Sequence, residues 1–289
     1  MSARAEAIAY GAATIVNAIA TGEGAAFGVD LWTKAEVQLT EEPAVVKGEI
    51  ASDTNESTLL IEKTVARVLR YYGVENHFGA KVKTTSNIPI ARGLKSSSAA
   101  ANAVSLATVA ALARELDDLS VVNIGVDAAF DAKVTVTGAF DDACASYFGG
   151  VVVTDNKNRK ILRRFPLPAG LKVLFHVPTK KAYTVDTDID RLVMIKHMVR
   201  IAFEEAKKGN FWMALTLNGT VYATALGYNN SVATDALDAG ALAAGLCGKG
   251  PAVTAVVPDE KLDVVKAALE CHKGEVLQAR FNMEKAKVI

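Results

Sequence analysis

The chain has 289 residues, 51% of them apolar, enough material for one large domain or two modest ones. Basic and acidic residues number 32 each, so charge offers no reason to expect a nucleic-acid partner or an anionic membrane surface. Three scattered cysteines, Cys144, Cys247 and Cys271, lack metal-ligand spacing and fit a reducing cytoplasm better than a disulfide framework.

The run from Ala5 to Ala20 follows Arg4 and is rich in Ala and Ile, as a signal peptide would be, but Tyr10, Thr14 and Asn17 interrupt its apolar centre. No apolar stretch reaches membrane-spanning length, and a cytoplasmic protein is expected. Glu6 to Asn17 predicts a first strand and Ala20 to Gly28 a glycine-rich loop. Trp32 to Leu39 and Val45 to Ile50 alternate as strands do, with Glu41-Glu42-Pro43 turning between them. A cap at Thr54-Asn55 opens a helix with Leu60, Ile61, Val65, Val68, Leu69 and Tyr72 on one face, stopping at Gly73. Phe78 to Thr85 alternates as another strand.

The stretch Pro89-Ile-Ala-Arg92-Gly93-Leu94-Lys95-Ser96-Ser97-Ser98-Ala99 then leads into a helix running to about Glu115. A helix N-terminus has N–H groups without intrahelical partners and a partial positive charge, so a loop of small residues there suits phosphate. An ordinary N-cap would need one serine; three serines followed by three alanines clear side-chain bulk for two turns. Neither a Walker loop nor a G-x-G-x-x-G pattern is present.

Asp117 opens the next helix, which runs to about Lys133 and contains Asp127 and Asp131. The cluster Thr137-Gly138-Ala139-Phe140-Asp141-Asp142 follows, then a short helical stretch closed by Gly149-Gly150. The paired carboxylates read either as a cap with an exposed neighbour or as groups facing the phosphate site, handling a hydroxyl proton or magnesium. A hairpin, Val151 to Val153 and Lys160 to Leu162, marks the expected junction between an N-terminal domain, 1–155, and a C-terminal domain, 156–289. Beyond it come a strand at Leu171 to Val177, a helix from Ile189 to near Gly209, and two more helical stretches, Phe211 to Leu226 and Ala233 to Ala239. A glycine loop at Gly245 to Pro251, a helix at Glu260 to His272 and a strand at Glu275 to Phe281 finish the chain.

Pro89-x-x-x-Gly93-Leu94-x-Ser96-Ser97-x-Ala99 resembles the phosphate loop of the GHMP kinase superfamily, with Lys95 in place of its second glycine. Gly22-Glu23-Gly24 resembles the first motif, with Gly24 replacing a histidine, and Gly245 to Pro251 resembles the third, G-x-x-G-x-G-P. The likeness covers residues 5 to 285 and implies an α+β fold: an α/β nucleotide-binding domain followed by a ferredoxin-like domain. It implies that Pro89, Arg92, Gly93, Leu94, Lys95, Ser96, Ser97, Ser98 and Ala99 bind ATP. Counting back from Gly149-Gly150, Asp142 falls on the family's catalytic aspartate, with Asp141 as second candidate. Asp131 falls where the family holds Mg²⁺ with a glutamate, and Ser97 is the implied hydroxyl ligand. Asn17, Glu23, Gly248 and Gly250 lie on the implied substrate side.

The serine run and Thr135-Val-Thr-Gly-Ala-Phe-Asp-Asp142 resemble the archaeal type of shikimate kinase. That implies transfer of the ATP γ-phosphoryl group to the 3-hydroxyl of shikimate in aromatic amino-acid biosynthesis. The substrate's carboxylate calls for a cation, for which Arg92, Lys133, Lys180, Lys181 and Arg191 are candidates. Homoserine kinase, another small-molecule kinase of the superfamily, and a non-catalytic binding protein of the same fold are the alternatives. Oligomeric state is left open by the sequence.

Overall fold

The computed structural model describes residues 3–179 and 189–289. A mixed sheet is built from β1 (Arg4–Val16), β2 (Glu23–Thr40), β3 (Val46–Ile50), β4 (Gly79–Ser86), β5 (Val151–Asp155), β6 (Lys160–Phe165) and the short β11 (Lys287–Val288). Its main path runs β11-β1-β2-β4-β3, with only the β3–β4 pair parallel. The long strand β2 pairs with β5 through Glu23 to Phe27 and with β4 through Thr33 to Thr40.

The second half of β2 and β4 alternate buried and more exposed residues, but β5 and the start of β2 do not, because both of their faces are covered. Ala25, Phe27, Val151 and Val153 enter one core, while Ala26 and Val152, between them in sequence, enter another. The second core is closed by α1 (Leu59–Tyr71), α2 (Ser96–Ala111), α3 (Asp118–Asp131) and α4 (Phe140–Phe148). The first core is shared with a four-stranded antiparallel sheet, in which β7 (Leu171–Val177), β8 (Ala243–Leu246), β9 (Val253–Pro258) and β10 (Glu275–Ala279) lie in the order β10-β7-β9-β8. Helices α5 (Ile189–Met194), α6 (Lys196–Lys208) and α7 (Phe211–Leu226) contribute Leu192, Phe203 and Tyr222 to it. Helices α8 (Ser231–Asp238) and α9 (Leu262–Glu270) cover the far side of that sheet.

Several boundaries differ from expectation for tertiary reasons. Glu23 to Gly28 is strand, not loop, and its glycines permit close packing: a Cβ on Gly28 would lie 3.0 Å from the Asn282 carbonyl oxygen and 3.1 Å from Gly149 Cα. Helix α1 begins at Leu59 rather than near Thr54, and Thr58 spends its hydroxyl on Glu62 instead of a backbone cap. The helix expected from Ile189 to Gly209 is interrupted at Ile195. Part of the third glycine loop is strand β8. The expected 155/156 junction cuts the β5–β6 hairpin, whose two strands pair with each other in the first sheet. Among the described residues no helix is long and apolar enough to cross a membrane.

Candidate active site

The loop before α2 winds through three left-handed residues, Ala91 (φ 56°), Gly93 (φ 92°) and Lys95 (φ 64°). Gly93 is required there twice over: its φ favours glycine, and a Cβ would lie 2.6 Å from the Cys247 carbonyl oxygen. The third glycine loop therefore packs directly on it. Cys247 Sγ donates to the Gly93 carbonyl at 3.1 Å, and the Ala252 N–H donates to that of Arg92 at 3.2 Å.

Lys95 is the N-cap of α2 and offers no side-chain cap, while the first helical N–H with a partner inside the helix is that of Ala99, to Lys95 O. Hence the N–H groups of Ser96, Ser97 and Ser98 start the helix without intrahelical acceptors, and all three serines line a cleft. Alanines follow because α2 is buried on several sides; Ala99, Ala103 and Ala107 are fully enclosed. Asn102, also fully buried, donates through Nδ2 to the Ala143 carbonyl (2.9 Å) and Ser146 Oγ (3.1 Å), tying α2 to α4.

Helix α4 carries the two aspartates, which differ in surroundings. Asp142 Oδ2 pairs with Lys95 Nζ at 2.9 Å, the side chains being 10% and 12% exposed, whereas its Oδ1 is buried without a hydrogen bond. Asp141 Oδ1 accepts from Asn156 Nδ2 at 2.7 Å, and Asn156 Oδ1 accepts in turn from Thr154. Burial, then the neighbouring charge of Asp142, push the Asp141 carboxyl up to about 7 against the opposing pull of Lys95. Burial works against the Lys95 ammonium, but the neighbouring acidic groups, Asp142 foremost, outweigh it and hold its pKa above the ordinary lysine value.

The cleft holds about 430 Å³ and crosses the sheet: Thr14, Thr33, Thr84 and Ile50 line it from β1, β2, β4 and β3 in spatial order. Ile50, Leu60 and Ile61 make the β3 end apolar, while Lys95, Asp141 and Asp142 gather with Asn17 and Thr14. The arrangement suits a flat base at one end, an anionic chain over the head of α2, and chemistry at the carboxylates.

Of the residues expected to bind nucleotide, Gly93, Lys95, Ser96, Ser97 and Ser98 line the cleft. Pro89, Arg92, Leu94 and Ala99 are not among its walls; Leu94 and Ala99 are core, and Arg92 serves through its backbone carbonyl. Asn17 and Gly250 line it, whereas Glu23 sits opposite Asp155 at the start of β2. Gly248 acts by omission, since a Cβ there would lie 2.6 Å from Lys95 Nζ.

Asp131, expected near Mg²⁺, lies apart from the cleft. It is held by Arg67 at two points, Nε–Oδ2 2.6 Å and Nη2–Oδ1 2.8 Å, on the α1–α3 side, and does not line the cleft. That guanidinium holds its carboxyl below the usual range. Among the described residues no group of three or more His, Cys, Asp or Glu is placed to hold a metal. The donors that remain, serine hydroxyls and the unpartnered Asp142 Oδ1, fit a cation ligated chiefly by phosphate oxygens.

Lys133 is the one cation proposed for the substrate carboxylate that lines the cleft; Arg92 and Arg191 do not, and Lys180 and Lys181 lie outside the described residues. The reading from sequence missed Lys249 and Thr33, which line the cleft, and Asn156 and Asn102, which brace the aspartates and their helix. Lys249 sits inside the third glycine motif at a position the motif leaves open, and no local pattern marks the roles of the other three.

A family model for the GHMP kinases N terminal domain matches residues 60–150. A shikimate kinase of Methanosarcina mazei is 44% identical over 284 residues, covering 98% of this chain and 96% of that protein. One from Pyrococcus abyssi is 43% identical over 264 residues, covering 90% and 93%. In fold, the chain is similar to a galactokinase of Lactococcus lactis complexed with galactose (TM-score 0.77, 15% identity, 98% and 95% covered). It is also similar to a homoserine kinase of Cytophaga hutchinsonii (TM-score 0.74, 18% identity, 100% and 98% covered).

Proposed function

Because the chain belongs to the GHMP kinase family, in the branch of the archaeal shikimate kinases, we propose that it transfers the γ-phosphoryl group of ATP to the 3-hydroxyl of shikimate. The products are 3-phosphoshikimate and ADP. The observation that carries this reading is near-full-length identity above 40% to shikimate kinases, whereas the homoserine kinase and galactokinase likenesses are of fold alone. The sparse, scattered cysteines support a cytoplasmic setting.

Phosphoryl transfer asks the protein mainly for positioning and charge stabilisation. The N–H groups and hydroxyls of Ser96, Ser97 and Ser98 take the phosphates at the positive end of α2. Asp142 is the base in this reading: it lines the cleft and its Oδ1 is buried without a hydrogen-bond partner, so it accepts the acceptor's proton as oxygen bonds to phosphorus. Asp141, held by Asn156 and pushed toward neutrality, orients ring hydroxyls rather than abstracting a proton. Lys133, which lines the cleft, is the cation this reading gives to the substrate carboxylate. Mg²⁺, with Ser97 Oγ as its protein ligand, would supply charge neutralisation of the phosphates when bound.

An ADP-release assay with shikimate, homoserine and mevalonate as separate acceptors tests the reading. Turnover with shikimate alone is expected; turnover with homoserine alone reassigns the substrate, and none with any acceptor points to a binding protein.

A further inference from the structure

We propose that Lys95 is a catalytic residue whose ammonium bridges the base Asp142 and the phosphoryl group in transit, instead of anchoring the resting triphosphate. The proposal rests on the phosphoryl-transfer reading of the cleft. Lys95 occupies a left-handed position (φ 64°) at the mouth of α2, a conformation that strains any residue but glycine. The resembled loop motif has glycine there, so the side chain must return something for that strain.

Its direction shows what. The ammonium turns to Asp142 Oδ2 at 2.9 Å, into a hollow left open by the missing side chain of Gly248. A Cβ at 248 would lie 2.6 Å from Lys95 Nζ and 3.4 Å from Thr14 Oγ1, so the ammonium and the Thr14 hydroxyl flank one point. Thr14 Oγ1 and Asp142 Oδ1 are both buried without hydrogen bonds, and both residues line the cleft. Two unsatisfied oxygens beside one buried cation mark the place where a hydroxyl-bearing acceptor meets the phosphate.

The charge balance explains why a cation helps there. The acceptor oxygen bonds to the γ-phosphorus, the bond from that phosphorus to the ADP oxygen breaks, and the hydroxyl proton passes to Asp142 Oδ1. Asp142 is thereby neutralised while negative charge moves onto the phosphoryl oxygens and ADP. Lys95, protonated throughout, loses its ground-state partner as a new one forms, so its attraction is strongest in the transition state.

Lys95→Gly is the sharpest probe, because glycine relieves the backbone strain and leaves the fold's demands at 95 easier to meet. Lys95→Met, which keeps the bulk in the hollow, is its companion. With shikimate and saturating ATP, kcat is expected to fall about 10²–10³-fold in both, with the Kd for a non-hydrolysable ATP analogue within about threefold of the parent. Combining Lys95→Gly with Asp142→Asn is expected to be no slower than Asp142→Asn alone, since both act on one step. A kcat within threefold of the parent in either folded variant overturns the proposal. So does a tenfold rise in the analogue Kd, which would make Lys95 a nucleotide anchor, or a double variant in which the losses multiply. An inactive parent with shikimate would instead sink the substrate reading.

Discussion

Gly24 and Asp141 compete for one small volume: a Cβ built on residue 24 lies 2.7 Å from Asp141 Cγ and 3.0 Å from its Cβ. The histidine of the resembled first motif and this chain's additional aspartate therefore exclude one another. Gly24→Ala is expected to destabilise by about 1–3 kcal/mol through overpacking, read as a drop of a few degrees in thermal midpoint. Trimming the neighbour as well, in Gly24→Ala/Asp141→Ala, recovers part of the loss. Strictly additive midpoint shifts would show that the two residues do not share space.

Asp142→Asn tests the base. Turnover with shikimate is expected to fall about 10²–10⁴-fold, while titration with an ATP analogue gives an unaltered Kd if, as proposed, the phosphates are held at α2. Full turnover in this variant moves the proton acceptor to Asp141 or removes it.

The carboxyl of Asp141, pushed by burial and the charge of Asp142 from the ordinary carboxylate range up to about 7, makes stability depend on pH. Between that range and the raised value the folded chain keeps a proton that the unfolded chain releases, so stability falls as pH rises through the window and levels off above it. Asparagine at 141 preserves the acceptor for Asn156 Nδ2 and abolishes the titration. Urea midpoints at pH 5 and pH 8 should show Asp141→Asn gaining on the parent at pH 8, by on the order of a few kcal/mol at most. An equal effect at both pH values contradicts the assignment.

Asp131→Asn separates the two accounts of that residue. As Arg67's partner it contributes roughly 0.2–1 kcal/mol on a third-exposed surface, and its loss leaves kcat and the magnesium dependence of turnover unchanged. A variant that needs much more magnesium for half-maximal rate would restore Asp131 to the metal.

What could be read in the chain beforehand was what is local. The glycine–serine loop and the double aspartate announce themselves because turns, helix starts and phosphate seats need particular residues at adjacent positions. Asp131 misled because its true partner, Arg67, is 64 residues away and leaves no local trace. Glu23 to Gly28 looked like a flexible loop for the same reason: its glycines admit Asn282, Gly149 and Asp141, which come from other parts of the chain. The direction of Lys95 was hidden as well, since it depends on a left-handed backbone and on an absent side chain at 248.

The side-chain amide of Asn102 joins α2, which the serine loop heads, to α4, which carries Asp141 and Asp142. On the proposed reading, the donor and acceptor ends of the reaction are spaced by that strut together with the core the two helices share, and neither half is a free module. A chimera that borrows residues 89–111 from one relative and 137–150 from another would inherit two good parts set at the wrong spacing unless the strut and its two anchor points travelled together.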